Sequence, residues 1–229
     1  MKRLLITVLG VALLAGQACA GEKAVLKDEK DKVSYSIGLE IGNKLKSQAI
    51  DINADTLASG IKDALSGSKP LMTEKEIQET MTAFQKEMMA KQAEKTKALA
   101  EKNKKEGDAF LAENKKKEGI KTTSSGLQYK VLKDGEGPMP KATDTVTVNY
   151  RGTLLDGTEF DSSYKHGEPA TFPVNGVVPG WVEALQLMKV GSKFQLFIPS
   201  GLAYGERAAG QQIGPNSTLI FEVELLSIK

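Results

Sequence analysis

Apolar residues in the N-terminal part of the chain recur at the spacing of amphipathic helices. Between residues 31 and 49 the apolar positions stand four apart and share one helical face, namely Val33, Ile37, Ile41 and Leu45. Gly38 and Gly42 lie near that face, where they are either tolerated or permit the close approach of another helix. A second helix is predicted between Asn53 as its N-cap and Gly67 as its stop.

A third and much longer helix is predicted after Pro70. Residues 73–76 (TEKE) form a capping box, and Gly107 is the only glycine in residues 74–118, which contain no proline. The first third of this helix carries apolar residues at helical spacing, namely Ile77, Met81, Phe84 and Met88. The remainder is highly charged, with isolated apolar residues such as Leu99, and it is predicted to be a solvated spacer.

Beyond Gly119 the pattern changes to the alternation of β-strands. Strands are predicted around residues 127–131, 146–150, 172–174, 194–198 and 219–225, and Asp156-Gly157 marks a hairpin. One stretch returns to helical spacing after Pro179, with Trp181, Ala184, Leu185 and Met188. The predicted fold class is therefore α+β: an all-helical N-terminal region, a long connecting helix, and a C-terminal antiparallel sheet wrapped around one short helix.

The net charge of the chain indicates which classes of partner it can bind. The net charge is +2, from 31 basic and 29 acidic residues, and Lys2 with Arg3 accounts for the excess. These two residues precede an apolar run at 4–15 and the small residues Ala18-Cys19-Ala20, which together are typical of a secretory signal peptide. The exported chain would then be neutral, and nucleic acid is not expected as a partner.

The sole cysteine, Cys19, leaves with the signal peptide if cleavage follows this pattern. The alternative is a lipoprotein in which Cys19 is the acylated first residue, although the residues before it match that pattern poorly. Either way the protein is expected to be exported, to the periplasm or to the outer membrane and cell surface of a Gram-negative bacterium.

The chain offers little for metal or nucleophilic chemistry. It has one histidine, and its single cysteine is predicted to leave with the signal peptide, so neither a His/Cys metal cluster nor a cysteine nucleophile is expected. His166 stands beside Gly167 in a polar stretch and is predicted to be a solvated loop residue. Residues 135–137 (GEG) lack the third glycine and the helix of a phosphate-binding loop. No cofactor and no metal site are predicted.

Six motifs in the C-terminal region resemble FKBP-type peptidyl-prolyl cis/trans isomerases in order and spacing. They are residues 148–152 (VNYRG), 156–163 (DGTEFDSS), 178–181 (VPGW), 203–205 (AYG), 213–215 (IGP) and 219–225 (LIFEVEL). Residues 31–38 (DKVSYSIG) and the long charged helix resemble the macrophage infectivity potentiator subgroup of Gram-negative bacteria. That likeness implies a V-shaped homodimer joined through its N-terminal helices.

The resemblance also implies a site. Asp161 and Tyr204 correspond to the catalytic residues, and the apolar prolyl pocket corresponds to Tyr150, Phe160, Val177, Val178, Trp181, Ile213 and Phe221. Plain core packing is the alternative for several of these, above all Val177 and Phe221. Ala170 replaces an aromatic wall, which implies a wider pocket. His166 replaces an arginine, which leaves Asp161 without a permanent cationic partner.

The predicted domains are a signal peptide at 1–20, a helical dimerisation region at 21–72, a connecting helix at 73–119 whose start also packs in the dimer, and an isomerase domain at 120–229. The implied function is non-covalent rotation about X-Pro bonds in unfolded or partly folded exported proteins that contain proline. Macrolides of the rapamycin type are the implied inhibitors. The alternative is a holdase chaperone for unfolded envelope proteins, with isomerase activity secondary.

Overall fold

The computed structural model describes residues 26–229, so the predicted signal peptide at 1–20 lies outside the described residues. The chain divides into two compact units, one ending at Thr73 and the other spanning Glu74–Lys229. Within the described residues, no helix is both long enough and apolar enough to cross a membrane.

The first unit contains two helices, α1 at Glu29–Ser47 and α2 at Ala54–Ser66. Asp28 caps α1, because its carboxylate accepts the Asp31 N–H at 2.8 Å. The predicted caps of α2 are both confirmed: the Asn53 side chain accepts the Thr56 N–H at 2.9 Å, and Gly67 ends the helix with a φ of 67°.

The apolar stripes of α1 and α2 face one another but remain largely exposed. A cleft between the helices is lined by Ile41 and Leu45 from α1 and by Leu57 and Ile61 from α2. Neither helix contains a buried residue, and Ile37 is 53% exposed. Two short helices therefore do not remove their apolar faces from water on their own.

The second unit begins with the long helix, α3, which spans Glu74–Asn114 and 41 residues. The sequence predicted its start correctly but placed its end at Glu118. The last turn is fixed at Asn114, whose buried side chain donates to Gln128 Oε1 at 3.0 Å. Gln128 Nε2 in turn donates to the Leu111 carbonyl oxygen at 2.9 Å, so a pair of side-chain amides satisfies the helix end.

The prediction of a solvated spacer is wrong for the last part of α3. The rings of Phe110 and Phe197 lie 5.8 Å apart, and Gly107 is buried against the side chain of Thr218. A glycine and a few well-spaced apolar residues are enough to seat the helix on the sheet, although its overall composition is polar.

Seven antiparallel strands and two short helices complete the unit. The strands are β1 (Ile120–Thr122), β2 (Gln128–Lys133), β3 (Thr145–Thr153), β4 (Glu159–Ser162), β5 (Ala170–Pro173), β6 (Lys193–Ile198) and β7 (Leu219–Ile228); the helices are α4 (Ser163–His166) and α5 (Pro179–Leu185). The strand order is β1-β2-β6-β7-β3-β4, and β5 also pairs with β3. The α+β fold class and the antiparallel sheet over one short helix, α5, are confirmed.

The core lies between the sheet and α5. Inward-facing residues alternate along β3 and β7, as Val146 and Val148 do in β3 and Val223 and Leu225 in β7, and all four are 0% exposed. Trp181, Ala184 and Leu185 cover them from α5. Phe197 points the other way from its neighbours on β6 and meets α3, so the sheet is covered on both faces.

Three details differ from the sequence prediction. Strand β1 and the single turn of α4 were not predicted, since both are too short to carry a periodic pattern. The strand predicted over residues 172–174 ends at Pro173, and Val174–Gly176 form a 3-10 turn. Met188 belongs to the core but lies beyond the end of α5.

Gly107 gives a direct test of how closely α3 packs. We expect Gly107→Ala to destabilise the second unit by about 1–3 kcal/mol, because the added methyl group would collide with Thr218. Urea unfolding followed by the fluorescence of the single tryptophan, Trp181, measures the effect. The control is Gly60→Ala in α2, where a Cβ meets open space and should not lower the midpoint. A Gly107→Ala midpoint equal to that of the unmodified chain would contradict the packing.

Candidate active site

A cavity of about 630 Å³ opens beside α5 in the second unit. All nine side chains that the sequence resemblance assigned to a site line this cavity: Tyr150, Phe160, Asp161, Val177, Val178, Trp181, Tyr204, Ile213 and Phe221. They come from β3, β4, β7, the start of α5 and two loops, so the fold brings together residues up to 71 positions apart, from Tyr150 to Phe221.

Trp181 forms the floor of the cavity. Its ring lies edge to face with three other rings, at centroid distances of 5.4 Å to Tyr150, 6.1 Å to Phe172 and 5.2 Å to Phe221. Only 4% of Trp181 is exposed, and its indole N–H has no hydrogen-bond partner within residues 26–229. The floor is therefore flat, rigid and apolar, which suits a compact apolar ring.

Gly152 on β3 leaves room for the rings of Phe160 and Phe221 to pack together in the wall of the cavity. A Cβ at this position would lie 2.6 Å from the Phe160 ring and 2.7 Å from the Phe221 ring. Without that Cβ the two rings pack edge to face at 5.4 Å. The glycine in the 148–152 motif thus has a steric role in the wall of the cavity.

Asp161 places a carboxylate on the rim. Its Oδ2 accepts a hydrogen bond from the Tyr150 hydroxyl at 2.7 Å, and its Oδ1 accepts one from the Ser162 N–H at 2.8 Å. Burial alone would raise the pKa of Asp161, but the hydrogen bonds from Tyr150, His166 and the Ser162 N–H outweigh it and lower that pKa. The carboxylate is consequently ionised and held in one orientation.

The hydrogen bond between Tyr150 and Asp161 has the opposite effect on the pKa of its donor, Tyr150. Burial of Tyr150, then its hydrogen bond to Asp161, raises the pKa of the phenol well above its ordinary value. Tyr150 is 7% exposed, so its hydroxyl remains a protonated donor at any physiological pH.

His166 is not the loop residue that its polar surroundings predicted, but it does lie beside Asp161, as the family resemblance implied. It is the last residue of α4, and its Nε2 lies 3.1 Å from Asp161 Oδ1. Its side chain is 68% exposed, which the sequence interpretation did predict. Asp161 thus has a nearby imidazole, which is a cationic partner only when His166 is protonated.

Tyr204 lies on the loop after β6, beyond a 3-10 turn at Ser200–Leu202. The Gly205 N–H donates to the Ser200 carbonyl oxygen at 2.8 Å and closes this loop. The Tyr204 side chain lines the cavity, the residue is 43% exposed, and its hydroxyl makes no hydrogen bond to any part of the chain that is described. A hydroxyl in this position is available to a ligand carbonyl.

The structure adds lining residues that were not predicted as part of the site. Phe172 on β5 lines the cavity, as do Gly176 and residues 209–212. The alternation of β5 marked Phe172 as a core residue, but nothing in the sequence showed that its ring borders an opening. Ala170 packs against the core and is not among the lining residues.

No group of three or more His, Cys, Asp or Glu side chains within residues 26–229 is arranged to hold a metal ion. The cavity lining combines aromatic and aliphatic residues with five polar ones, namely Tyr150, Asp161, Tyr204, Gln211 and Gln212.

Two protein-family descriptions match the chain. Residues 30–131 match the "domain amino terminal to FKBP-type peptidyl-prolyl isomerase", and residues 137–226 match "FKBP-type peptidyl-prolyl cis-trans isomerase".

Individual relatives agree with these matches. The chain is 49% identical over 229 residues to the outer membrane protein MIP of Legionella longbeachae, covering 100% of this chain and 98% of that protein. It is 47% identical to the peptidyl-prolyl cis-trans isomerase Mip of Coxiella burnetii, covering 100% and 99%. The crystal structure of FkpA from Escherichia coli superposes with a TM-score of 0.72 at 41% identity, covering 90% of this chain and 99% of that one.

The hydrogen bond between Tyr150 and Asp161 gives a titration test. We expect Tyr150→Phe to raise the pKa of Asp161, because the variant removes a bond that favours the ionised form. Carboxyl carbon shifts followed by NMR against pH measure the change. Asp156, whose pKa is lowered first of all by its hydrogen bond to the Thr158 N–H, is an internal control and should not move.

The lowered pKa of Asp161 also predicts how the stability of the fold changes with pH. Because the folded-state pKa of Asp161 is lowered, its ionisation stabilises the fold above the ordinary pKa of an aspartate, and this contribution is lost as the pH falls through the folded value. Tyr150→Phe should therefore make stability less sensitive to acid in that range. An unchanged Asp161 titration in the variant would show that the bond does not hold the carboxylate.

Proposed function

This chain belongs to the FKBP-type peptidyl-prolyl cis-trans isomerase family, and we propose that it turns X-Pro bonds in the cavity above Trp181, with Asp161 and Tyr204 as its catalytic residues. It is an enzyme of that class, and its substrates are proteins that contain proline. One observation supports the proposed site: an aromatic cavity stands beside the fixed carboxylate of Asp161 and the Tyr204 hydroxyl, which has no hydrogen bond within the described residues.

The aromatic box supplies the main driving force. Rotation about a peptide bond meets a barrier of about 18–20 kcal/mol, because resonance makes the amide planar. That resonance separates charge, and water stabilises the separated charges. A prolyl ring seated on Trp181 carries its amide into an apolar site, where the planar form loses this support and the twisted form loses less. Burial in the box therefore favours rotation without any covalent step.

The two polar residues act on the substrate's carbonyl groups. The Tyr204 hydroxyl donates a hydrogen bond to a substrate carbonyl oxygen and so sets the position of the peptide. The Asp161 carboxylate, held by Tyr150 and the Ser162 N–H, faces the amide as it twists and stabilises the changed charge distribution there. Neither residue takes up or releases a proton.

The pKa directions are consistent with that mechanism. Asp161 has a lowered pKa and Tyr150 a raised one, so neither changes its protonation between about pH 6 and 8. His166 lies within hydrogen-bond distance of Asp161 but is not among the residues that line the cavity.

The remaining partners follow from the same site. Macrolides of the rapamycin type are proposed to occupy the cavity above Trp181 and to compete with the prolyl ring.

The physiological substrates are proposed to be unfolded or partly folded exported proteins. This proposal is supported by the signal-like pattern at residues 1–20 and by a relative named an outer membrane protein. On the same grounds we propose that the protein acts in the periplasm or at the outer membrane of a Gram-negative bacterium.

A holdase chaperone without important isomerase activity is the less favoured function. The curated relatives are named as isomerases, and a pure binding surface has no need of a carboxylate held by three donors beside an apolar floor.

Asp161→Ala and Tyr204→Phe test the catalytic assignment. We expect kcat/KM for a proline tetrapeptide to fall about 10-fold or more in Asp161→Ala and about fivefold in Tyr204→Phe, as the loss of a charged and a neutral interaction implies. A protease-coupled or NMR exchange assay measures the rates. Rapamycin should inhibit the unmodified chain in the same assay. The assignment is wrong if both variants fold and isomerise the peptide at the unmodified rate.

We further propose that the protein is a homodimer joined through residues 31–89. The apolar stripes of α1 and α2 contain no buried residue, and at the start of α3 Ile77 is 43% and Met81 48% exposed. Gly38 and Gly42 have nothing within 4 Å of a Cβ position, so a second helix has room to approach. Pairing two copies would remove these faces from water.

Sedimentation of three forms of the protein tests this. We expect a dimer for the full chain, a monomer for residues 90–229, and a weakened dimer for Ile37→Glu, because a charge would enter the apolar stripe. The matched control is Asn43→Glu, which adds the same charge on the opposite side of α1. A monomeric full chain, or a dimeric 90–229 fragment, would overturn the proposal.

A further inference from the structure

The loop between Tyr204 and β7 separates two spaces. On one side, residues 210–213 line the cavity above Trp181. On the other side, the same residues border a groove against α3, whose lining includes Leu99, Asn103 and Glu106. One short stretch of chain is therefore the wall of the prolyl site and also a surface that faces the long helix.

Asn103 makes the shortest polar contact between α3 and this loop. Its Nδ2 donates to the carbonyl oxygen of the buried Pro215 at 2.8 Å and lies 3.4 Å from Ser217 Oγ. Gly214 packs on the same patch, since a Cβ there would lie 3.0 Å from Asn103 Nδ2 and 3.1 Å from Leu99 Cδ2. A partly buried amide thus binds the backbone two residues after Ile213.

A second contact links α3 to the loop that carries Tyr204. Asn216 has a left-handed backbone with a φ of 56°, and its side-chain amide approaches the Ala100 carbonyl oxygen at 3.4 Å. Its backbone N–H donates to the Gly205 carbonyl oxygen at 2.7 Å. Asn216 therefore joins the helix to the residue next to Tyr204.

The other hydrogen bonds of the loop join its own residues to one another. The Ala209 and Ile213 backbones exchange bonds of 2.9 and 3.3 Å, and Ser217 Oγ donates to the Gly214 carbonyl oxygen at 2.9 Å. These hydrogen bonds shape the loop internally. The side chain of Ile213 packs against the core, and the hydrogen bonds with α3 hold the backbone that follows it from the other side.

We propose that Asn103 is a positioning residue of the isomerase: its bond to Pro215 sets the placement of the wall at Ile213 and, through Asn216, of the Tyr204 loop. This inference rests on the proposed prolyl site. It assigns the C-terminal third of α3 to the active site as its outer support. The docked part of the helix is then more than a solvated spacer, because removing it would leave the wall unsupported.

Asn103→Asp in the full chain tests the proposal. The replacement keeps the size of the side chain but removes the donor and sets a carboxylate against the Pro215 oxygen. We expect kcat/KM for a proline tetrapeptide to fall about fivefold, the equivalent of one neutral hydrogen bond, and rapamycin affinity to fall by a similar factor. Lys105→Ala, two positions along and exposed, is the matched control and should change neither value.

A local readout separates positioning from general stability. In Asn103→Asp the amide protons of Ile213 and Asn216 should exchange about tenfold faster and the Ile213 methyl resonances should shift, while the amides of β7 stay protected. Asn216→Gly, which retains the left-handed backbone but removes the contact with Ala100, should act in the same direction and provides the test if Asn103→Asp does not fold.

The outcomes are distinguishable. An unmodified rate with unmodified loop signals overturns the positioning role, and so does a lower rate without a change in the loop, or an equal loss in Lys105→Ala. If the unmodified chain isomerises the peptide but Asp161→Ala and Tyr204→Phe do so equally well, the proposed site fails instead, whatever Asn103→Asp does.

Discussion

The hydrogen bond from Tyr150 to Asp161 joins the core of the second unit to the rim of its cavity. Strand β3 makes this possible because it pairs with β5 over residues 145–148 and with β4 over residues 151–153. Tyr150 stands between these two pairings, where its ring reaches Trp181 and its hydroxyl reaches Asp161. The carboxylate is thereby held by a buried side chain that cannot move without disturbing the core.

That arrangement explains how an apolar site can keep a charge on its edge. An isolated carboxylate beside an aromatic box would tend to take up a proton, because burial disfavours the charged form. Here the hydrogen bonds from Tyr150, His166 and the Ser162 N–H reverse the tendency. The cavity consequently combines an aromatic floor with a fixed negative charge on its edge.

Much of this unit could be predicted from the sequence, and the exceptions have physical reasons. Alternation located the strands, and the likeness of motifs such as 178–181 and 203–205 to a known family located nine lining residues. The docking of α3 was not predicted, because besides the isolated Phe110 it uses Asn103, Gly107 and Asn114, which leave no mark in an apolar pattern. One signal was present: β6 carries Phe197 between Leu196 and Ile198, so both faces of that strand needed cover.

The two units bury apolar surface by different means. The sheet and α5 enclose seventeen buried residues in one cluster, which gives the second unit a core that requires no partner. In α1 and α2 the spacing of the apolar residues is just as regular, yet none of them is buried. Regular spacing in a sequence shows that a face is meant to be covered, but it does not say what covers it. For α3 the cover at its C-terminal end is the sheet of its own chain, whereas in α1 Ile37 remains 53% exposed although α2 lies against the neighbouring Ile41.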